Sequence, residues 1–171
     1  MNRLCKLWLV LFSGVLFFGA STLRGEDKGV RATELWQVLT EVPQERAAGR
    51  AWVRPERFVP VMLNFEGMKT TLRDAPLEIV ELGVRGSGFV IELPMPDGSI
   101  AAFEVVESPI MEPGLAAKFP EIKTYLGQGL TDPTATVRFD VTPQGFHSQV
   151  ISPSGAAYID PYTFGDTAMY A

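Results

Sequence analysis

The stretch Thr134-Ala135-Thr136-Val137-Arg138-Phe139-Asp140-Val141, followed by Thr142-Pro143-Gln144-Gly145, decides the fold. Apolar side chains hold every second position (Ala135, Val137, Phe139, Val141), and polar ones hold the positions between. An extended chain therefore puts the first set on one face and leaves the second in water, whereas a helix would scatter both around its circumference. In the four residues that follow, Pro sits second, where its fixed φ suits a turn, and Gly sits fourth, where a left-handed residue lets the chain return. The same chemistry recurs at Met95-Pro96-Asp97-Gly98 and at Ser152-Pro153-Ser154-Gly155. These turns predict a hairpin from Gly88 to Val106, with Phe89, Ile91 and Leu93 sharing a face and a second strand from Ser99. They also predict a meander of about three strands from Thr134 to Asp160.

Outside these segments the pattern is mixed. Leu35, Trp36, Leu39 and Val42 recur at helical spacing, which predicts a short helix over Thr33–Glu41 with Thr33 as its N-cap. Val59, Val61, Leu63 and Phe65 alternate over Phe58–Phe65, and Pro60, which cannot donate to a ladder, assigns that strand to a sheet edge. Gly67–Ala75 reads as a helical turn closed by Pro76. Within Met111–Lys123, Pro113 starts a second short helix and Pro120 ends it, with Leu115, Ala116 and Phe119 as its apolar contacts. The expected fold class is mainly β: an antiparallel sheet or β-sandwich built from hairpins, with two short peripheral helices.

At the N-terminus, Arg3 and Lys6 precede an apolar run from Leu7 to Phe18, interrupted only by Ser13 and Gly14, and then Gly19, Ala20 and Ser21. That order matches a cleaved secretory signal, and the run is shorter than the roughly 20 residues a spanning helix needs. Residues 1–21 are read as signal peptide, 22–56 as a lead-in segment with a short helix, 57–166 as the β-rich module and 167–171 as a truncated linker or tail. Localisation is expected to be secreted, periplasmic or at the cell surface. Cys5 is the only cysteine and would leave with the signal, so a packed core rather than disulfides must hold the domain. Loss of Arg3 and Lys6 takes the formal charge from −5 to −7. With the remaining basic residues scattered singly among acids, nucleic acid is excluded as a partner.

The inventory of reactive groups is sparse. His147 is the only histidine, too few for a histidine-based zinc centre, and it alternates with Gln149 on the face away from Phe146 and Val150. No Gly-x-Ser-x-Gly elbow accompanies it. Glu104 and Glu107 are three apart on a strand and point to opposite faces. Asp132, Asp140, Asp160 and Asp166 offer oxygen ligands but not the spacing of a calcium loop. Gly83-Val84-Arg85-Gly86-Ser87-Gly88 precedes a strand instead of joining strand to helix, and reads as a loop rather than a phosphate cradle. Tyr125, Tyr158, Tyr162 and Phe164 read as core or rim packing, with a partner anchor as the alternative. No catalytic, metal or cofactor residue is assigned, and no cofactor is expected.

Longer motifs carry a resemblance. Glu107-Ser108-Pro109-Ile110-Met111-Glu112-Pro113-Gly114-Leu115-Ala116-Ala117-Lys118-Phe119-Pro120-Glu121-Ile122-Lys123-Thr124-Tyr125 is followed by Gly127-Gln128-Gly129. After these come Asp132-Pro133-Thr134-Ala135-Thr136-Val137-Arg138-Phe139-Asp140, Gly145-Phe146-His147 and Tyr158-Ile159-Asp160-Pro161-Tyr162. From about Leu35 to Asp166 the chain resembles the N-terminal pro-region of secreted bacterial reprolysin-like (metzincin) zinc metallopeptidases. The resemblance implies a non-catalytic module that chaperones or masks a protease domain, either as a fragment of a precursor or as an orphan pro-domain. The implied partner is a reprolysin-like catalytic domain, whose His-Glu-x-x-His-x-x-Gly-x-x-His motif is absent from this sequence. Phe164-Gly165-Asp166 is similar to, but one residue shorter than, the Phe-x-Gly-Asp motif by which astacin pro-regions block zinc, which implies Asp166 as a blocking ligand in trans. Two other readings stand beside this one: an independent extracellular binding or adhesion domain, and a small secreted hydrolase dependent on His147.

Overall fold

The structure, a computed structural model, describes residues 32–171; the apolar N-terminal run and the cleavage position at Ser21 lie outside the described residues. Among the described residues there are four short helices: α1 (Ala32–Leu35), α2 (Gln44–Ala47), α3 (Phe65–Leu72) and α4 (Pro113–Ala116). The strands are β1 (Trp36–Val38), β2 (Val61–Leu63), β3 (Val90–Pro94), β4 (Ile100–Glu107), β5 (Lys123–Gly129), β6 (Thr136–Thr142), β7 (Gly145–Ser152), β8 (Gly155–Ile159) and β9 (Met169–Tyr170). Six of them form one antiparallel up-and-down sheet in the order β3-β4-β5-β6-β7-β8, and three form a second in the order β1-β2-β9. The mainly β, antiparallel class expected from the alternation is what the chain adopts.

The deciding stretch behaves as its period requires. Ala135, Val137, Phe139 and Val141 are buried, while Thr134, Thr136 and Arg138 are exposed. All three proline turns close hairpins, and their glycines take positive φ: 82° at Gly98, 137° at Gly145 and 132° at Gly155. Residues with a Cβ rarely occupy that region, which is why glycine stands at the return position.

Four expectations are corrected. The predicted helix over Thr33–Glu41 starts earlier, so Thr33 is not its N-cap, and it stops at Leu35. Trp36, Gln37 and Val38 instead pair with Leu63, Met62 and Val61. An isolated helix of about nine residues is marginal, and a ladder to β2 satisfies the same backbone while burying Trp36. Pro60 does not mark an edge, because β2 lies between β1 and β9. The proline immediately precedes the first strand residue, where its missing donor costs the ladder nothing, and its carbonyl accepts from Leu39 N–H at 2.8 Å.

Phe65 does not continue that strand: the Asn64 side chain accepts from Gly67 N–H at 2.9 Å and caps α3. This helix is not peripheral, since Met68 and Leu72 are fully buried. Residues 167–171 are no tail. Met169 and Tyr170 are fully buried and pair with β2, so the last residues complete the small sheet. The second expected helix is present as α4, capped by the Glu112 carboxylate on Gly114 and Leu115 N–H, and it ends well before Lys123, which starts β5.

The two sheets share one core. Trp36 of β1 meets Phe146 of β7 edge-on with ring centroids 5.5 Å apart, and meets Tyr170 of β9 at 5.8 Å. Phe139 stacks on Tyr125 at 4.8 Å and touches Phe146 at 5.3 Å. The Tyr170 hydroxyl accepts from Phe146 N–H and donates to the Thr167 carbonyl, so its polar end is satisfied inside the core. Burial, chiefly, pushes that phenol up to about 12.

Candidate functional site

The outer face of the large sheet gathers its polar groups in one row. Counting back from the Thr142–Gly145 turn sets Asp140 opposite His147, and counting from Ser152–Gly155 brings Asp160 to the other side of the imidazole. His147 Nδ1 lies 2.9 Å from Asp160 Oδ1, which fixes the proton on Nδ1 when the ring is neutral. Asp140 flanks the ring from β6, and Thr124 lies beside it on β5, where its hydroxyl donates to the Ser108 carbonyl. Burial raises the Asp140 carboxyl above its usual range; the neighbouring His147 opposes that shift, and the Asp160 charge adds to it. Arg138, Gln149 and Tyr158 form the next row, with Gln149 donating to the Tyr158 hydroxyl at 3.0 Å. Together these residues line a shallow pocket of about 290 Å³.

One wall beside the pocket is aromatic. Residues 50–52 are held against 162–164 by an antiparallel bridge between Ala51 and Thr163, with Trp52 N–H donating to the Tyr162 carbonyl and Phe164 N–H to that of Arg50. Trp52 thereby reaches His147 at 5.2 Å and Phe164 at 4.4 Å, and the Arg50 guanidinium covers the Phe164 ring at 4.5 Å. The pairing of His147 with Asp160 orients an imidazole, as a general base needs, but Ser148 is buried on the opposite face and is not set against it. Among the described residues no group of three or more His, Cys, Asp or Glu side chains is arranged to hold a metal ion. Of the four aspartates weighed as calcium ligands, Asp140 and Asp160 meet around His147. Asp132 instead caps the turn at Thr134.

Asp166 is bound within its own chain. One carboxylate oxygen pairs with Arg46 Nη1 at 2.5 Å, and the other accepts from Ala168 N–H at 2.9 Å and Met169 N–H at 3.4 Å. Burial opposes ionisation here, but the Arg46 hydrogen bond and the amide donors outweigh it and hold the carboxyl below its ordinary value of 3.8. A blocking role at a zinc would require the carboxylate to leave Arg46. Because the unfolded chain restores the ordinary value, the stabilisation is complete above about pH 5 and is lost as pH falls through the lowered folded value. Asp166→Ala is therefore expected to cost about 1–2 kcal/mol in urea unfolding at pH 7, the partly exposed Arg46 screening the pair, with the deficit shrinking in acid.

Glu104 and Glu107 serve separate ends of the fold, one accepting from Gly88 N–H at 2.9 Å and the other pairing with Lys123 at 2.7 Å. Gly83, Gly86 and Gly88 all take positive φ in the loop before β3. The four aromatics divide: Tyr125 is core, Tyr162 stacks on Phe58, and Tyr158 and Phe164 are about half exposed.

The surface also carries an apolar feature that the sequence reading passed over. Leu77, Ile79, Val80 and Leu82 are 64%, 55%, 82% and 66% exposed. The run is anchored where Glu78 N–H donates to the Glu107 carbonyl and Glu107 N–H to that of Pro76, and Ile110, three residues beyond Glu107, is also exposed. A chain segment held rigidly at one end while presenting large apolar side chains to water is the usual mark of a protein contact. Among the described residues no helix is long and apolar enough to cross a membrane. No family model matches this chain, and neither a curated protein nor a solved structure matches it.

Proposed function

We propose that this chain is a secreted, non-catalytic, pro-domain-like module that works by binding, covering or chaperoning the catalytic domain of a reprolysin-like zinc metallopeptidase. The observation that carries the reading is the exposed run Leu77–Leu82, whose four large apolar side chains find no cover among the described residues. The motifs from Glu107 to Tyr162 supply the class of partner by resemblance. A surface of this kind gains by desolvation against a complementary apolar patch, and the flanking Glu78 and Glu81 keep it soluble until then.

The test mixes the purified full chain with a reprolysin-like catalytic domain from the same genome and measures affinity and peptide cleavage. The chain is expected to bind and to slow cleavage. The double substitution Val80→Asp, Leu82→Asp is expected to weaken binding by about tenfold or more with no loss of thermal stability, because neither side chain supports the core. Absence of binding by the parent chain overturns the protease partner; unchanged affinity of the variant overturns the surface.

A further inference from the structure

Strand β8 is the last of the large sheet, and among the described residues only Ala171 pairs with its outer edge. One rung of a further ladder is already present: Asp160 N–H donates to the Ala171 carbonyl at 3.1 Å, and Ala171 N–H donates to that of Asp160 at 3.0 Å. Residues facing away from a neighbouring strand alternate, so Tyr158 and Ala156 direct their backbone groups the same way as Asp160. Among the described residues neither has a backbone partner on that side. Beside this edge runs an apolar groove of about 610 Å³. Its far wall is built from the 53–59 segment, including Phe58 and Val59, and one end is formed by Met95 and Pro96 of the β3-β4 turn. Arg54 and Arg57 line it too, both exposed and neither in an ion pair among the described residues. The lining carboxylate, Asp160, is engaged with His147.

We infer that this groove takes an extended acidic peptide segment of a partner protein as an added strand on β8. The peptide's main chain pairs antiparallel with Tyr158 and Ala156, continuing the rung that Ala171 begins. Its alternate side chains, apolar, enter the groove against Phe58, Val59 and Met95, and its carboxylates meet Arg54 and Arg57. The inference is independent of the protease reading, which rests on the Leu77–Leu82 surface.

The experiment titrates the full chain with the peptide acetyl-Glu-Val-Thr-Val-Glu-Val-Glu-amide. Its charge-reversed form, with lysine at each glutamate, and a form N-methylated at the threonine and the central glutamate, whose amides face β8 when the valines face the groove, serve as comparisons. Affinity and the exchange rates of the Ala156 and Tyr158 amides are followed by nuclear magnetic resonance. The acidic peptide is expected to bind with Kd below about 1 mM and to slow exchange of both amides at least tenfold. The lysine and N-methylated peptides are expected to bind at least tenfold more weakly, and Arg54→Ala with Arg57→Ala is expected to remove the preference for the acidic form. Unprotected Ala156 and Tyr158 amides, or equal affinity for the acidic and lysine peptides, overturns the inference. The second comparison uses the parent chain and does not depend on how the variant folds.

Discussion

Phe146→Ala is expected to cost the fold about 3–5 kcal/mol, enough to leave a small domain close to its unfolding threshold at ambient temperature. Phe146 is fully buried where the two sheets meet, with Trp36, Phe139 and Tyr170 around its ring at centroid distances of 5.5, 5.3 and 6.4 Å. Those neighbours come from three strands outside its own, and each is fixed by a ladder, so the cavity left by truncation closes poorly. Lost transfer energy and lost contacts then add. The backbone bond from Phe146 N–H to the Tyr170 hydroxyl ties the same residue to β9, so loosening the ring also loosens the small sheet. Urea unfolding followed by tryptophan fluorescence reads the effect through Trp36. A loss below about 1 kcal/mol would mean that the sheets do not share this core.

The second large effect is expected at Gly129, for reasons of space and not of φ. A Cβ built there lies 2.3 Å from the Asp132 carbonyl oxygen and 3.3 Å from Ala135 Cβ. The first of these is backbone, fixed by the bond from Ala135 N–H to that same carbonyl and by the Gly129 N–H bond to Ala135. Neither can withdraw without opening the β5-β6 connection. Gly129→Ala is expected to cost about 2–3 kcal/mol and Gly129→Val more, since overpacking here must move main chain. Thermal unfolding checks it: a shift of less than about 2 °C for the alanine variant would show that the connection yields.

Gly129 also explains where the sequence was hard to read. The hairpins were legible because two independent signals agree in them: a period of two along Thr134–Val141, and a turn formula with glycine where a positive φ is needed. Between the expected hairpin and the expected meander lies β5, which no alternation announced. Its inward positions are Tyr125, Gly127 and Gly129, and a Cβ at Gly127 would meet Val137 Cγ1 at 2.6 Å and Val105 Cγ2 at 3.0 Å. Valines from both neighbouring strands fill the space that a side chain of β5 would occupy. The strand that joins the two halves into one sheet therefore carries no hydrophobic signature of its own. Trp36 was misread for the opposite reason: its apolar neighbours fit a helical stripe, and only the distant ladder to Leu63 decides between the two periods.

The candidate sites divide along the same line. The meeting of His147 with Asp160 follows from counting residues away from two tight turns, so it was within reach of the sequence. The pairing of Arg46 with Asp166 spans 120 positions, and nothing local foretells it. Nothing local marks the apolar run Leu77–Leu82 as a surface feature. Only the folded chain, which has filled its interior with other side chains, leaves it outside.

The small sheet joins the beginning of the described chain to its end, because β2 is flanked by Trp36–Val38 on one side and by Met169–Tyr170 on the other. During synthesis the first two of these strands emerge early, yet the third arrives only after more than a hundred further residues. Such distant pairing makes completion slow and leaves Trp36 and Leu63 uncovered on the growing polypeptide meanwhile. The six-stranded meander, whose strands all join consecutive neighbours, can mature well before the layer that covers it.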